Sequence, residues 1–267
     1  MKEQIEAFRE YMIDNEKSEN TINSYLCSIR IFLKEYGEVS KKNMIEFKND
    51  QLSKWKPKTA HNRCTAMNQF CIFIGHPECC VKRIKIQQDS SVENVITVKE
   101  YEKLLEGLQK DGNERGYWMI TYLAKTGARV SEFRNMKKDS LNRGYEELWT
   151  KGKVRRIYIP KHLIDQSRTF FESNKSEYLF ENRHGKQLTC RGISKLIKSW
   201  AKKYGIRKEV AHPHSFRHLY AIEFLKNNPN IALLADLMGH SSVNTTSIYL
   251  KLSREEQIKQ FNEASNW

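Results

Sequence analysis

The stretch that decides the fold is residues 237–249, which read LMGHSSVNTTSIY. It places a Gly-His pair ahead of a tyrosine that follows the histidine by nine positions. Three other short segments carry related groups: TGARVSE (126–132), TKGK (150–153) and HPHSFRH (212–218). Arginine, lysine and histidine are the side chains that proteins use to bind phosphate. Each segment alone is a weak signal, but the four together predict a phosphate-binding active site.

Helical periodicity dominates the first part of the chain. Apolar residues recur every three and four positions from 22 to 36 and again from 60 to 74, and each run ends at a glycine. We expect flanking helices near residues 2–14 and 41–53. The pattern therefore predicts a bundle of four helices at the amino-terminal end.

The rest of the chain mixes helices with a short hairpin. Thr97 and Glu100 form a capping box that opens a helix, and Thr189 caps a later one. Between them, residues 146–160 contain a β-rich run on each side of Lys-Gly-Lys, which is typical of an antiparallel hairpin. The predicted fold class is mainly α with a small antiparallel β-sheet. We place a helical domain at 1–80, a linker at 81–95 and a second domain at 96–267.

Composition limits the range of functions. The chain has 46 Lys and Arg against 32 Asp and Glu, a net charge of +14 that favours a polyanionic partner such as nucleic acid. No apolar stretch reaches the roughly 20 residues that a membrane span needs. The amino terminus lacks the apolar core of a secretory signal, and the six cysteines have no framework or metal-site spacing. We therefore expect a cytoplasmic protein with no membrane partner and no metal.

The four segments, in this order, resemble the motifs of the tyrosine recombinase, or phage integrase, family. The resemblance covers the whole chain and is nearest to the two-domain, Xer-like members. It implies a helical, SAM-like DNA-binding domain followed by an α+β catalytic domain. The implied activity is site-specific recombination or integration, in which DNA is cleaved and rejoined through a 3′-phosphotyrosine intermediate and a Holliday junction. The implied partners are a double-stranded DNA recombination site and, in the synaptic complex, a homo-tetramer of protomers that are monomers when free. No cofactor is implied. The resemblance also implies a nucleoid-associated protein encoded by a bacterium or a mobile element.

The reaction chemistry explains why these residue types are present. An attacked phosphodiester gains negative charge, which the planar guanidiniums of Arg129 and Arg217 can neutralise with bidentate hydrogen bonds. Tyr249 is the expected nucleophile, and because a phenol has a pKa of about 10 it needs a base or a strongly positive pocket. Glu132, one helical turn after Arg129, resembles the family acid that orients these cations.

The remaining catalytic roles rest on the resemblance. It assigns phosphate binding to His240, general-base work to His214, and protonation of the leaving oxygen to Lys151. On sequence alone His212 rivals His214, although His214 lies one helical turn before the second arginine and on its face. Lys153 is the alternative to Lys151.

DNA contacts are expected from basic residues in both domains. Such contacts to phosphates position a protein without specifying a sequence. The candidates are Lys54, Lys56, Lys58, Arg63, Lys82, Arg83, Lys85, Arg191, Lys195 and Lys198. Base-reading positions are expected at Arg191 and on the exposed side of helix 58–74.

Two other functions fit part of the pattern. A type IB topoisomerase uses the same chemistry, and a catalytically silent DNA-binding regulator could share the fold. The residues after Tyr249 are spaced for a short amphipathic helix that docks on a neighbouring protomer or on its own. The spacing of GHSS and tyrosine, with no catalytic residue missing, favours an active recombinase.

Overall fold

The computed structural model describes residues 2–86, 94–150, 153–182, 184–240, 242–250, 262, 263 and 265. The chain divides into two compact units, Met1–Gln88 and Asp89–Trp267. Within the described ranges, no helix is both long and apolar enough to cross a membrane.

The first unit is a helical bundle, as the periodicity predicts. Its helices are α1 (Lys2–Asp14), α2 (Glu19–Tyr36), α3 (Lys41–Lys54) and α4 (Pro57–Phe73). Serines 18 and 40 cap α2 and α3, and Gly37 ends α2 with a positive φ of 77°. Fully buried phenylalanines from all these helices meet in the core, where Phe8 packs edge-on to Phe70.

The segment after α4 is held against this core by one amide side chain. Asn68 accepts the backbone N–H of Val81 and donates to its carbonyl, both at 2.9 Å, and Val81 is buried. This pairing satisfies the backbone as a neighbouring strand would. The basic residues that follow are exposed: Lys82, Arg83 and Lys85.

The second unit packs helices around a small sheet. Its helices are α5 (Val98–Lys110), α6 (Glu114–Thr126), α7 (Val130–Phe133), α8 (Ser140–Arg143), α9 (Lys161–Glu172), α10 (Cys190–Lys203), α11 (Pro213–Asn227) and α12 (Ile231–Met238). The capping box at Thr97 and Glu100 and the Thr189 cap form as predicted. Buried aromatic rings of α6, α9 and the following loop pack together, with Tyr122 edge-on to Phe171.

The predicted hairpin consists of β1 (Tyr145–Thr150) and β2 (Lys153–Tyr158), which pair antiparallel. Alternation gives the sheet two different faces. On the inner face Leu148 and Ile157 join the core, whereas the outer face carries the Glu147–Arg156 ion pair. The fold class, mainly α with a small antiparallel sheet, is thus confirmed.

Candidate active site

Arg129 lies where α6 ends and α7 begins. Gly127 ends α6 in the left-handed conformation, with φ 61°, and a Cβ there would lie 2.4 Å from the Tyr220 ring of α11. Arg129 is the N-cap residue of α7, and its Nη2 donates to the carbonyl of Gly239 at 3.1 Å. Its side chain is 40% exposed. The guanidinium is therefore fixed at one edge and open to a ligand at another.

Glu132 is the buried carboxylate that organises the cationic groups. Its Oε2 accepts the backbone N–H of Arg129 at 2.7 Å, and its Oε1 accepts from Arg129 Nη1 at 2.9 Å and from Arg155 Nη1. Burial alone would raise the pKa of Glu132. The Arg129 N–H and the charges of both arginines outweigh burial and hold the pKa below its ordinary value. The carboxylate is consequently ionised at neutral pH.

Arg155 was not predicted from the sequence. It lies on the inner face of β2, nearly buried, and its Nη2 donates to the carbonyl of Leu237 at 2.9 Å. Strand alternation separates it from its neighbour Arg156, which points to the outer face. The sequence could have identified Arg155 by its position two residues before Ile157, because alternate residues of a strand face the same side. A third guanidinium thus joins the predicted pair.

Arg217 is the most enclosed of the three arginines, with 1% of its surface exposed. Its Nη1 donates to the carbonyl of Gly127 and its Nη2 to that of Met238, both at 2.6 Å. Burial, followed by the charges of Arg129 and Arg155, lowers its pKa to about 10, so it stays charged at neutral pH. Main-chain oxygens from two sequence motifs therefore fix this side chain.

His240 completes the cluster. Arg217 Nη2 donates to its Nε2 at 3.0 Å, and its Nδ1 lies 2.8 Å from Thr246 Oγ1. Since a guanidinium only donates, Nε2 is the acceptor and Nδ1 carries the proton that Thr246 accepts. Burial, and then the charges of the arginines, lowers the pKa of His240 to about 4. The imidazole is neutral at physiological pH.

Tyr249 lies in a 3₁₀ helix at Ser247–Leu250 and packs against a small apolar cluster that includes Leu234 and Met238. Its hydroxyl is 2.7 Å from Nδ1 of His218. Burial raises the pKa of Tyr249 to about 12, although the charges of Arg217 and Arg129 oppose that rise. His218, a half-buried residue inside the HPHSFRH segment, was not singled out in the sequence.

The two rival histidines have different positions. His212 is the N-cap residue of α11, and its Nδ1 accepts the backbone N–H of Ser215 at 3.1 Å. His214 is exposed, and its ring meets that of His218 edge-on, with centroids 4.4 Å apart. Partial desolvation of its ring, and after it the charge of Arg217, lowers the pKa of His214. Capping occupies His212, whereas His214 lies next to the tyrosine–histidine pair.

A cleft of about 1400 Å³ opens beside these groups. Arg129, Arg155 and His240 line one side, and the outer face of β2 and helix α12 line the rest. Within the part of the chain that the structure describes, no three His, Cys, Asp or Glu side chains group together as metal ligands. The cleft is large enough for a segment of a polymeric ligand.

Comparison with known proteins identifies the family of this chain. Residues 94–256, more than half of the chain, match the phage integrase family. The chain belongs to that family. Tyrosine recombinase XerA of Thermococcus kodakarensis is 29% identical over 96% of this chain and 93% of that protein. XerC of Leptospira interrogans is 26% identical over 99% and 93%. A solved lambda integrase dimer bound to a COC′ core site shares the fold, with a TM-score of 0.73, 17% identity, and 93% and 94% of the two chains covered.

The protein is thus a site-specific tyrosine recombinase of the Xer type. Its predicted general acid, Lys151, lies outside the described residues, and the alternative, Lys153, is the first residue of β2. The other predicted catalytic residues, Arg129, His214, Arg217, His240 and Tyr249, lie in the second unit.

The predicted DNA-contact residues of the recombinase lie on exposed surface in most cases. Arg191, Lys195 and Lys198 project from α10 opposite its buried apolar stripe. In the first unit, Lys54, Lys56 and Lys58 are exposed around the start of α4. Arg63 is half-buried, with its guanidinium 4.7 Å above the Trp55 ring and Nη1 donating to Gln51 at 2.6 Å. This arginine is held in one orientation before any DNA arrives.

Replacing Glu132 with glutamine should destabilise the recombinase by about 3–5 kcal/mol at pH 7, because Arg155 and Arg217 would keep buried charges without their carboxylate. The folded pKa of Glu132 lies below its ordinary 4.5, so the folded state binds fewer protons than the unfolded state. The stability difference between wild type and variant should therefore be constant above about pH 4.5 and shrink as pH falls through the folded pKa. Urea denaturation at several pH values measures it.

Glu147→Gln is the matched control for Glu132→Gln. Glu147 pairs with the exposed Arg156 on the outer face of the sheet, where an ion pair contributes less than about 1 kcal/mol. The role of Glu132 as the carboxylate that neutralises the buried arginines would be contradicted by either of two results. The first is that Glu132→Gln destabilises the protein no more than Glu147→Gln does, and the second is that its destabilisation grows as the pH falls.

Proposed function

We propose that this recombinase cleaves and rejoins DNA at its recombination site through a 3′-phosphotyrosine bond formed by Tyr249. The observation that carries the proposal is that one residue, Thr246, holds both His240 and Tyr249 in place. Thr246 accepts the N–H of the His240 ring through Oγ1 at 2.8 Å, and its carbonyl accepts the backbone N–H of Tyr249 at 3.0 Å. Thr246 is fully buried. One turn thus carries a phosphate-binding imidazole and a hydroxyl nucleophile.

The scissile phosphate would be held by Arg129, Arg217 and His240, the last once its ring proton is on Nε2 and the Thr246 hydroxyl donates to Nδ1. Two buried guanidinium nitrogens support a ligand at this place: Nε of Arg217 and Nε of Arg155 have no hydrogen-bond partner among the described residues. Buried polar atoms are rarely left unpaired, and an anion is the partner that such donors select. Cations arranged before the reaction stabilise the charge that develops on the attacked phosphorus.

Cleavage then follows from the positions of these groups. The Tyr249 hydroxyl attacks phosphorus, the P–O5′ bond breaks, and the 5′-oxygen takes a proton from Lys151, or from Lys153 if the hairpin presents that residue. Because the phosphotyrosine bond retains the energy of the broken phosphodiester, a 5′-hydroxyl can reverse the step without ATP. We propose no metal or other cofactor.

Recombination requires these steps on two DNA sites. We propose a tetramer of protomers that are monomeric when free, which exchanges strands in two rounds through a Holliday junction. We propose that residues 1–80 bind the core site and that 96–267 carry the chemistry, on either side of a linker at 81–95. The lambda integrase dimer, solved on core-site DNA, supports DNA as the partner. A recombinase acts where its DNA lies, which for a bacterial or mobile-element protein is the cytoplasmic nucleoid.

A nicked suicide substrate tests the proposal. Such DNA carries the native site with a nick close to the cleavage position. Cleavage therefore releases a short fragment whose 5′-hydroxyl is lost for rejoining, and the covalent complex accumulates. We expect an adduct that mass spectrometry maps to Tyr249. Exchange of strands between two labelled sites separates a recombinase from an enzyme that only relaxes supercoils. An adduct on another residue, or cleavage without any adduct, would contradict the proposal.

Lys195→Gln combined with Lys198→Gln should weaken DNA binding in a salt-dependent manner. Each phosphate contact contributes about −0.9 to the slope of log K against log salt, so the double variant should lose about 1.8 units of slope. Fluorescence anisotropy over a salt series measures it. Lys226→Gln is the control, because Lys226 is already paired with Glu223. An unchanged slope in the double variant would remove α10 from the DNA interface.

A further inference from the structure

The hydroxyl of Tyr249 has a specific hydrogen-bond partner that none of the family motifs assigns. Nδ1 of His218 lies 2.7 Å from it, and the two rings are 5.5 Å apart. We propose that His218 is the general base that takes the phenolic proton of Tyr249 during cleavage and returns it during rejoining. This inference rests on the proposed function, because it assumes Tyr249 as the nucleophile.

The direction of the hydrogen bond follows from the protonation states. Burial, followed by the nearby histidines and Arg217, lowers the pKa of His218 to about 4, so its imidazole is neutral and Nδ1 can accept. Burial raises the pKa of Tyr249 to about 12, so the phenol keeps its proton in the DNA-free protein. The hydroxyl is thus the donor, and the proton already points at the atom that would receive it.

His214 is less suited to this step. Among the described residues, the hydrogen-bond partner of the Tyr249 hydroxyl is His218, and His214 contacts the edge of the His218 ring instead. A general base must lie within hydrogen-bond reach of the proton that it removes. His214 lies one helical turn before His218, on the first turn of α11, and is exposed.

The proposed step balances as follows. The O–H bond of Tyr249 breaks, its proton moves to Nδ1 of His218, and the oxygen lone pair forms the bond to phosphorus. The P–O5′ bond breaks, and the 5′-oxygen leaves with its electron pair and takes a proton from the hairpin lysine. On rejoining, the 5′-hydroxyl returns its proton to the hairpin lysine and attacks phosphorus, the bond from phosphorus to the Tyr249 oxygen breaks, and the His218 imidazolium returns its proton to that oxygen.

A bound phosphate would strengthen this base. Burial, and after it the positive charge of the adjacent Arg217, disfavour a charged His218. A phosphodiester anion between the arginines would oppose their field, so it would raise the pKa of His218. Proton transfer is thereby favoured when DNA occupies the site.

Substitution of His218 by asparagine separates proton transfer from orientation. The Oδ1 atom of asparagine can accept the Tyr249 hydroxyl near the position of Nδ1, but it cannot hold the proton. We expect single-turnover cleavage of the suicide substrate to fall about 10²–10⁴-fold in His218→Asn, and as far in His218→Ala, with unchanged DNA affinity. His162→Asn is the control, since His162 is exposed on α9. If the asparagine variant melts early, His218→Gln replaces it.

A second experiment changes only the acidity of the Tyr249 phenol, and so tests whether His218 acts on it as a base. Incorporation of 3,5-difluorotyrosine at position 249 makes the phenol a stronger acid, which needs less help from a base. We expect the deficit of His218→Asn to shrink at least about tenfold with the fluorinated phenol. A deficit of equal size with both phenols, or cleavage by His218→Asn within tenfold of wild type, would overturn the inference. Wild type tests the proposed function separately, because it must form the Tyr249 adduct whatever the variant does.

Discussion

Replacing Tyr249 with phenylalanine is expected to abolish covalent attachment to DNA. The substitution removes the attacking oxygen and leaves the ring, which packs against the apolar cluster beside α11 and α12. Loss of a covalent nucleophile costs on the order of 10⁶-fold in rate in well-studied hydrolases, so no adduct should be detected. The suicide substrate and a denaturing gel measure it.

Binding and folding should survive this change. Among the described residues the hydroxyl hydrogen-bonds His218, and a typical hydrogen bond contributes about 1 kcal/mol to stability. The variant should therefore bind its site with wild-type affinity and melt within a few degrees of wild type. Tyr178→Phe is the control, because Tyr178 does not line the cleft. Cleavage by Tyr249→Phe at a rate near that of the control would exclude residue 249 as the nucleophile.

Replacing Arg217 with lysine should have the second largest effect. A lysine keeps the charge, but its single nitrogen cannot reach the carbonyls of Gly127 and Met238 and the ring of His240 together. Loss of one preorganised donor to a developing oxyanion costs about 10²–10³-fold. Cleavage should fall at least that far. Buried carbonyls left without donors should also reduce the free energy of unfolding by about 1–3 kcal/mol each.

Arg207→Lys is the matched control for this variant. Arg207 is half exposed and pairs with Glu100 at 2.6 Å, so its loss should leave cleavage unchanged and shift stability by no more than about 1 kcal/mol. Single-turnover cleavage and denaturant unfolding are compared for both variants. Wild-type cleavage by Arg217→Lys would show that charge alone, without the guanidinium geometry, is sufficient.

The sequence predicted the fold wherever local chemistry determines structure. The apolar stripes of α2 and α4, the capping box at Thr97 and the two β-rich runs each became the expected element. Helices α9 and α12 were not predicted. Packing stabilises such helices more than intrinsic propensity does, and a helix as short as α12 carries little periodic signal.

The site was predictable where a motif fixes both residue type and neighbour. Arg129 and Glu132 share one capped turn, and their contact follows from a spacing of three residues. Arg155 and His218 were not predicted because each has a neighbour of the same type. Arg156 follows Arg155, and two other histidines precede His218 in the same segment. Only the strand register and the hydrogen bond to the tyrosine distinguish them. Such tertiary information cannot be read from spacing.

The main-chain anchorage of Arg217 has a practical consequence for retargeting this enzyme. Its acceptors are carbonyl oxygens, which no exchange of a side chain at Gly127 or Met238 deletes. The DNA-facing candidates on α10 point away from the interior that holds this guanidinium. Libraries that randomise Arg191, the predicted base-reading position on this helix, should therefore explore new target sequences while the catalytic machinery stays intact.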